Sequence, residues 1–334
     1  MVTAALIILS NDARQAAMQG RYFIEGLAMT ERTLNEERAI ARELSPDVAW
    51  PTIIFAFTLP LVHLSIVAAA LMGYVNMWLA MPVLGFTAYM HYTIVHEAIH
   101  RNLMRRSFAF EPVNTALGWI GSIAIGTTWP LLNRTHLAHH AHTNTERDAD
   151  IFLKGSYPRL LFIWVVSIVA NLIPVPVVKW AFDKAGFDSG YLNTRHLMSE
   201  RDWQLHLIAH TGLCAFVWGM IALGYGPQVI ALFVMPAAFG RLMLGTFQQW
   251  LPHAPFVESS RYRQARITKI PFGPLLYMGH DVHLVHHLWP SVPFYYYGRF
   301  YRRLEPILRA KGARIEGLVP RPVEVPAEPA TQQN

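Results

Sequence analysis

The sequence predicts an all-α integral membrane protein, with four transmembrane helices in two hairpins and a cytoplasmic, histidine-rich helical cap. Three observations predict it. Hydrophobic residues make up 53% of the 334 and charged residues only 15%, where soluble domains carry about 25% charged. The apolar residues fall in blocks long enough to cross a bilayer. The basic residues flank those blocks and leave a net charge of +6, the sign that anionic lipid headgroups attract. No basic helix or aromatic RNA-binding motif accompanies that charge, so nucleic acid is not an expected partner. The one cysteine, Cys214, lies inside an apolar run, which excludes a disulfide framework or a cysteine-built metal site within the chain.

Residues 1–10 are apolar but lack a basic leader and a clear cleavage site, and read as retained sequence. Residues 1–50 read as N-terminal helices in the cytoplasm or at the interface, with Glu31-Arg32 and Glu36-Glu37-Arg38 on a solvated helical face. A membrane domain is expected over 51–315. Residues 52–75 contain no Asp, Glu, Lys or Arg and can span, with Pro60 as a kink site. Residues 78–95 form a second uncharged block after a short turn at Asn76, which makes the first hairpin. Residues 112–132 are apolar but rich in Gly, Ser and Thr. They separate two histidine clusters that must share one side of the bilayer, so they are expected to be peripheral or re-entrant.

Three apolar blocks follow, at 160–180, 204–223 and 228–245, and the same parity allows two of them to span. The Pro174-Val175-Pro176 break makes the first the weakest. The last two are joined by the uncharged turn Gly224-Tyr225-Gly226-Pro227, giving the second hairpin. Arg101, Arg105, Arg106, Arg134, Lys154, Arg159, Arg261, Arg263, Arg266 and Lys269 all fall on the histidine side, which the positive-inside rule places in the cytoplasm. Residues 316–334 are proline-rich and read as a disordered tail.

The chemistry lies in three histidine clusters. They are His96 and His100, then His136, His139 and His140, then His283, His286 and His287. Spacings of three and four put side chains on one helical face, so each cluster can aim its imidazoles at one point. One zinc ion takes about four ligands, so eight histidines suit two ions of four to six coordination. Burying so many imidazoles without a shared ligand would leave polar nitrogens unsatisfied. The scattered His63, His196, His206 and His210 are expected to be structural. His96-Glu97-Ala98-Ile99-His100 also spells HExxH, the motif of a zinc protease with Glu97 as general base, which would here be intramembrane. Such an enzyme has no use for the two HxxHH groups. A transporter or metal carrier would hold its site near the midplane on broken helices, whereas these clusters lie at helix ends.

The ordered set HxxxH, HxxHH, HxxHH resembles the membrane fatty acid desaturase/hydroxylase superfamily over roughly residues 50–310. The stretch from His142-Thr143-Asn144 to Asp148-Ala149-Asp150 is similar to that family's Thr-Asn and Asp-Pro-Asp pattern, with Ala149 where proline is common. Two further stretches resemble its β-carotene hydroxylase and ketolase branch: Trp250-Leu251-Pro252-His253-Ala254-Pro255-Phe256, and residues 283–297. The resemblance implies a ligand set of His96, His100, His136, His139, His140, His253, His283, His286 and His287. It implies two non-haem irons that use O2 to break an unactivated C–H bond, with hydroxylation or desaturation as outcomes, and no catalytic residue beyond the metal ligands. Gln249 matches a position where the family often has a polar side chain that reaches the metal through water, although Pro252 argues against a regular helix carrying both Gln249 and His253. Glu97, Asp148, Asp150 and Asp281 are candidates for acceptors that orient imidazole N–H groups.

The expected substrate is lipophilic, a carotenoid β-ring to be hydroxylated or, as the alternative, an acyl chain to be desaturated or hydroxylated. No haem, flavin or iron–sulfur signature is present, so electrons are expected from a separate ferredoxin, cytochrome or rubredoxin. Arg299, Arg302, Arg303 and Arg309 are placed to dock an acidic donor or to touch lipid headgroups. Phe294 to Tyr297, with Phe300 and Tyr301, are expected at the substrate mouth or in an interfacial aromatic belt.

Overall fold

The structure is a computed structural model that describes residues 31–104, 110–186 and 192–323. The expectations for residues 1–30, for Arg105 and Arg106, and for the tail from residue 324 fall outside the described residues.

Helix α1 covers residues 31–43. Helices α2 (Trp50–Leu71) and α3 (Met77–Ile99) follow, joined by a turn over 72–76. Asn76 caps α3 by accepting the Trp78 N–H at 2.9 Å, which supplies one of the partners a helix start lacks. Then come α4 (Glu111–Ala124), α5 (Trp129–His142), α6 (Tyr157–Ala170) and α7 (Val175–Ala185). Each starts with a proline in its first turn, where the missing N–H costs nothing. Helix α8 (Glu200–Ala222) is capped by Ser199, and α9 runs from Gly226 to His253.

Among the described residues, α2, α8 and α9 are long and apolar enough to cross a membrane, so this is a membrane protein of mostly helical build. Helix α3, the fourth expected span, has 23 residues but is not in that set. Its last turns carry His91, His96 and Glu97, and those polar residues lower its hydropathy. The 112–132 region holds α4, which at 14 residues is about 21 Å long and too short to cross a hydrocarbon core of about 30 Å. The 160–180 block breaks into α6 and α7 before Val175, where two prolines remove backbone donors.

Helix α3 is the hub, with α2, α4 and α9 packed around it. Small residues set the closest approaches. A Cβ on Gly240 of α9 would stand 3.0 Å from the Ala88 Cβ, and one on Gly121 of α4 would stand 2.9 Å from the His91 carbonyl oxygen. Leu84, Ala88, Tyr89, Ile94 and Val95 of α3 are essentially inaccessible.

A second core lies beneath the histidines. Ile40 and Ala41 of α1, with Leu44 just after it, pack there against α10 (His283–Leu288) and α11 (Tyr297–Ala310). Glu37 is buried, not solvated as expected from its charge. Its carboxylate accepts hydrogen bonds from Arg261 (2.8 Å), the Tyr262 hydroxyl (2.8 Å) and the Trp289 indole (3.1 Å). A two-stranded parallel sheet, β1 (Arg266–Thr268) with β2 (Arg314–Glu316), also departs from the all-helical expectation. It gave no sequence signal, because three-residue strands carry no alternation and half of these six residues are charged. Arg266 is fully buried there, 3.0 Å from Glu316, and binds the carbonyls of Leu251, Gly317 and Leu318. Arg314 in turn holds the carbonyl of Arg321, so the chain just past β2, within the expected tail, is tied to that strand.

Candidate metal centre

Helix ends bring the three clusters together. His96 closes α3 and His100 follows it. His136, His139 and His140 lie on the last turns of α5, and His283, His286 and His287 on the short α10. His253 ends α9. The expected conflict between Pro252 and a helix through Gln249 and His253 is resolved by a π-helical turn over Gly245–Trp250. The wider turn keeps the helix continuous where proline offers no N–H.

The nine imidazoles form two groups. His96, His100, His136, His140 and His286 make one, and His139, His253, His283 and His287 the other, with one ring nitrogen of each member within 4.8 Å of the rest. Facing Nε2 atoms are 2.8–3.3 Å apart: His96 to His286, His100 to His136, His136 to His140 and His140 to His286 in the first group, and His139 to His253 and His287, and His287 to His283, in the second. His140 Nε2 faces two other Nε2 atoms at once. A hydrogen on one nitrogen can serve only one such contact, so internal hydrogen bonding cannot satisfy each group. A central cation can. With metal–nitrogen bonds of about 2.1 Å, octahedral neighbours lie about 3.0 Å apart and tetrahedral ones about 3.4 Å. The donor set therefore fits a metal ion in each group.

Burial keeps the grouped imidazoles neutral. It drives His100 down to about 3 and His136, His140, His283, His286 and His287 well below the ordinary value, with neighbouring imidazoles adding to the effect. His139 is the exception. Burial pushes it down, but its hydrogen bond to Asp148 and the charges of Asp148 and Asp150 raise it overall.

The far nitrogens are held from outside. His139 Nδ1 donates to Asp148 Oδ1 at 2.8 Å and His253 Nδ1 to the Gln264 carbonyl at 3.1 Å. His286 Nδ1 lies 2.9 Å from the Tyr297 hydroxyl, His136 Nδ1 3.3 Å from that of Tyr92, and His287 Nδ1 3.4 Å from that of Thr143. Such partners fix the ring that presents Nε2 to a metal. Asp148 is itself fixed by the Asn144 N–H (2.6 Å) and the Asp150 N–H (2.9 Å), so the turn forms with Ala149 in place of proline.

The residues expected around the ligands separate. Gln249 donates to Asp150 Oδ2 at 3.1 Å, and both line a small cavity between the groups, together with Tyr92, His96, His136 and His283. Burial lifts Asp150 to about 6, with His139 opposing and Asp148 reinforcing the shift. Glu97 Oε1 stands 3.6 Å from His96 Nδ1 and accepts from Asn102. Asp281 hydrogen-bonds no imidazole among the described residues, and Lys269 is the charge that acts on it.

Tyr297 and Tyr92 carried no sequence signal for this role. Tyr297 was expected at a substrate mouth or belt, but Tyr297, Phe300 and Tyr301 are buried in the second core. Three of the four expected docking arginines have a carboxylate nearby: Arg303 lies 2.6 Å and Arg299 3.8 Å from Glu43, and Arg309 lies 2.6 Å from Glu305.

The fatty acid desaturase family model matches residues 72–317, a stretch that includes all nine histidines. The chain belongs to the fatty acid desaturase family. Its members are oxidoreductases that use a di-iron centre, and the two histidine groups fit such a desaturase or hydroxylase. The chain is also similar to a probable fatty acid desaturase DES1 of Sorghum bicolor, at 21% identity over 206 residues, covering 54% of this chain and 51% of the relative. It therefore spans about half the length of that relative. The protease alternative loses its ground here, because His96 and His100 share their group with three further imidazoles.

Proposed function

We propose that the protein is a membrane-bound non-haem di-iron oxygenase, drawing on O2 and external electrons to oxidise an unactivated C–H bond of a lipophilic substrate. The observation that carries this reading is the pair of histidine groups, whose Nε2 atoms face one another at 2.8–3.3 Å. In it, His96, His100, His136, His140 and His286 hold one iron, and His139, His253, His283 and His287 the other. The irons, when bound, supply the O2 chemistry, and the protein supplies position and electrostatics. Asp148, Gln264, Tyr297, Tyr92 and Thr143 keep Nδ1 protonated and Nε2 free on five of the ligands. The cavity lined by Asp150, Gln249 and Tyr92 brings its polar groups to the space between the two groups.

In this reading α2, α3, α8 and α9 all span, as two hairpins with the histidine side in the cytoplasm. Support comes from the flanking Arg and Lys residues and from the uncharged turns at 72–76 and 223–227. Electrons come from a separate carrier of ferredoxin type, since the chain has no signature of its own redox carrier.

The preferred substrate is a carotenoid β-ring, to be hydroxylated. The likeness of residues 250–256 and 283–297 to carotenoid hydroxylases supports it. A second reading, an acyl chain, is favoured by the sorghum relative, which is named a fatty acid desaturase. Expression in a β-carotene-producing host, with pigments and acyl lipids analysed together, decides between them. New hydroxylated carotenoids are expected. Unchanged pigment with new double bonds in acyl lipids would replace the carotenoid by the acyl reading.

A further inference from the structure

His280 lies outside both histidine groups and matches no part of the three clusters, yet it is fully buried among them. Its ring stands edge-on to His96 with centroids 4.5 Å apart, 5.5 Å from His286 and 5.8 Å from His283. Its Nδ1 is 3.2 Å from the Met278 carbonyl oxygen. A carbonyl can only accept, so Nδ1 carries the hydrogen and Nε2 keeps its lone pair. That Nε2 is a buried acceptor with no donor.

The complementary vacancy lies next to it. His96 turns Nε2 into the five-membered group, 3.0 Å from His286 Nε2, which leaves Nδ1 as the protonated nitrogen. His96 Nδ1 is a buried donor without a hydrogen-bond partner, and so is Nδ1 of His283. Five of the nine group members have an outer partner on Nδ1, and these two lack one. Buried polar groups are rarely left unpaired in a folded protein. Glu97 Oε1 is the other acceptor near His96 Nδ1, at 3.6 Å and already accepting from Asn102, whereas the His280 ring stands edge-on to His96 with its own acceptor unpaired.

We propose that His280 is a positioning residue of the metal centre, its Nε2 serving as the buried acceptor that orients the His96 imidazole. The proposal rests on the di-iron reading. Its role is indirect: it sets the ring plane and basicity of a ligand and does not itself occupy a ligand position.

The test compares wild type, His280→Phe and His280→Gln, purified in detergent and loaded with 57Fe. Phenylalanine keeps the ring contact and removes the acceptor, whereas glutamine returns an acceptor oxygen near the Nε2 position. Iron per chain is followed against rising chelator, alongside the Mössbauer spectrum and the melting temperature of the metal-free form. His280→Phe is expected to release iron about 10–100-fold more readily, the usual effect of losing a ligand's outer partner. One of the two iron signals is expected to change and the metal-free melting temperature to hold. His280→Gln is expected to restore retention. If His280→Phe fails to accumulate, His280→Leu takes its place. Wild-type iron retention and spectrum in the acceptor-less variant would overturn the proposal, as would a loss that glutamine does not rescue. A wild-type protein that binds no iron would instead remove the di-iron reading itself.

Discussion

At the residue scale, most of the site was legible because its signal is local. Spacings of three and four on a helix bring imidazoles to one face, so eight of the nine grouped histidines can be read directly, and the ninth, His253, came through resemblance. What holds them was not legible. Tyr297 is eleven residues from its partner His286, and Tyr92 is 44 residues from His136. Such pairings depend on tertiary packing and leave no periodic trace.

The same burial sets a pH dependence. His100 and His280 are held at about 3 and about 4, and His136, His140, His283, His286 and His287 well below 6.5. Below pH 6.5 the unfolded chain takes up protons at these sites that the folded chain refuses. Stability is then lost as pH falls, by about 1.4 kcal/mol per pH unit for each proton refused. His139 and Asp150, both raised, act in the opposite sense but are two groups against seven. The melting temperature of the metal-free protein in detergent is expected to decline steadily from pH 6.5 to pH 5. A flat profile would show that the imidazoles are not shielded as the fold requires.

At the scale of elements, the apolar helices were legible by length and composition, and the proline break between α6 and α7 by the chemistry of proline. On α1, Glu31, Arg32, Glu36 and Arg38 are exposed as expected and only Glu37 was misread, because a charge pattern cannot distinguish a solvated carboxylate from a buried one that finds partners. Glu37 finds Arg261, Tyr262 and Trp289, from segments more than 220 residues away. Those contacts clamp α1 against the segments on either side of α10. Glu37→Ala is expected to cost about 2–3 kcal/mol, below the 3–5 kcal/mol of a fully buried pair, because Arg261 remains 40% exposed. Denaturant titration of the solubilised protein measures it, and a loss under about 0.5 kcal/mol, the range of ordinary surface changes, would show that the clamp is decorative. The π-helical turn before His253 is a further element the sequence hid. Pro252 announces an irregularity, but only the packed structure shows that widening one turn, and not ending the helix, resolves it.

At the scale of the molecule, composition alone separates a membrane protein from a soluble one, and the parity of apolar blocks between clusters constrains the chain's path. The two-group division of the histidines was not legible, since cluster order does not say how rings partition. His139 and His140 are adjacent in sequence yet fall in different groups, as do His286 and His287, because neighbouring helical positions point about 100° apart. Each HxxHH stretch thus feeds both groups, which ties the two sites into one centre. The measurement that tests this most directly is metal analysis of the purified, membrane-extracted protein, with Mössbauer spectroscopy on the same sample. Two irons per chain, giving two signals from unequal five- and four-histidine environments, are predicted. A single zinc per chain with no iron would contradict the account.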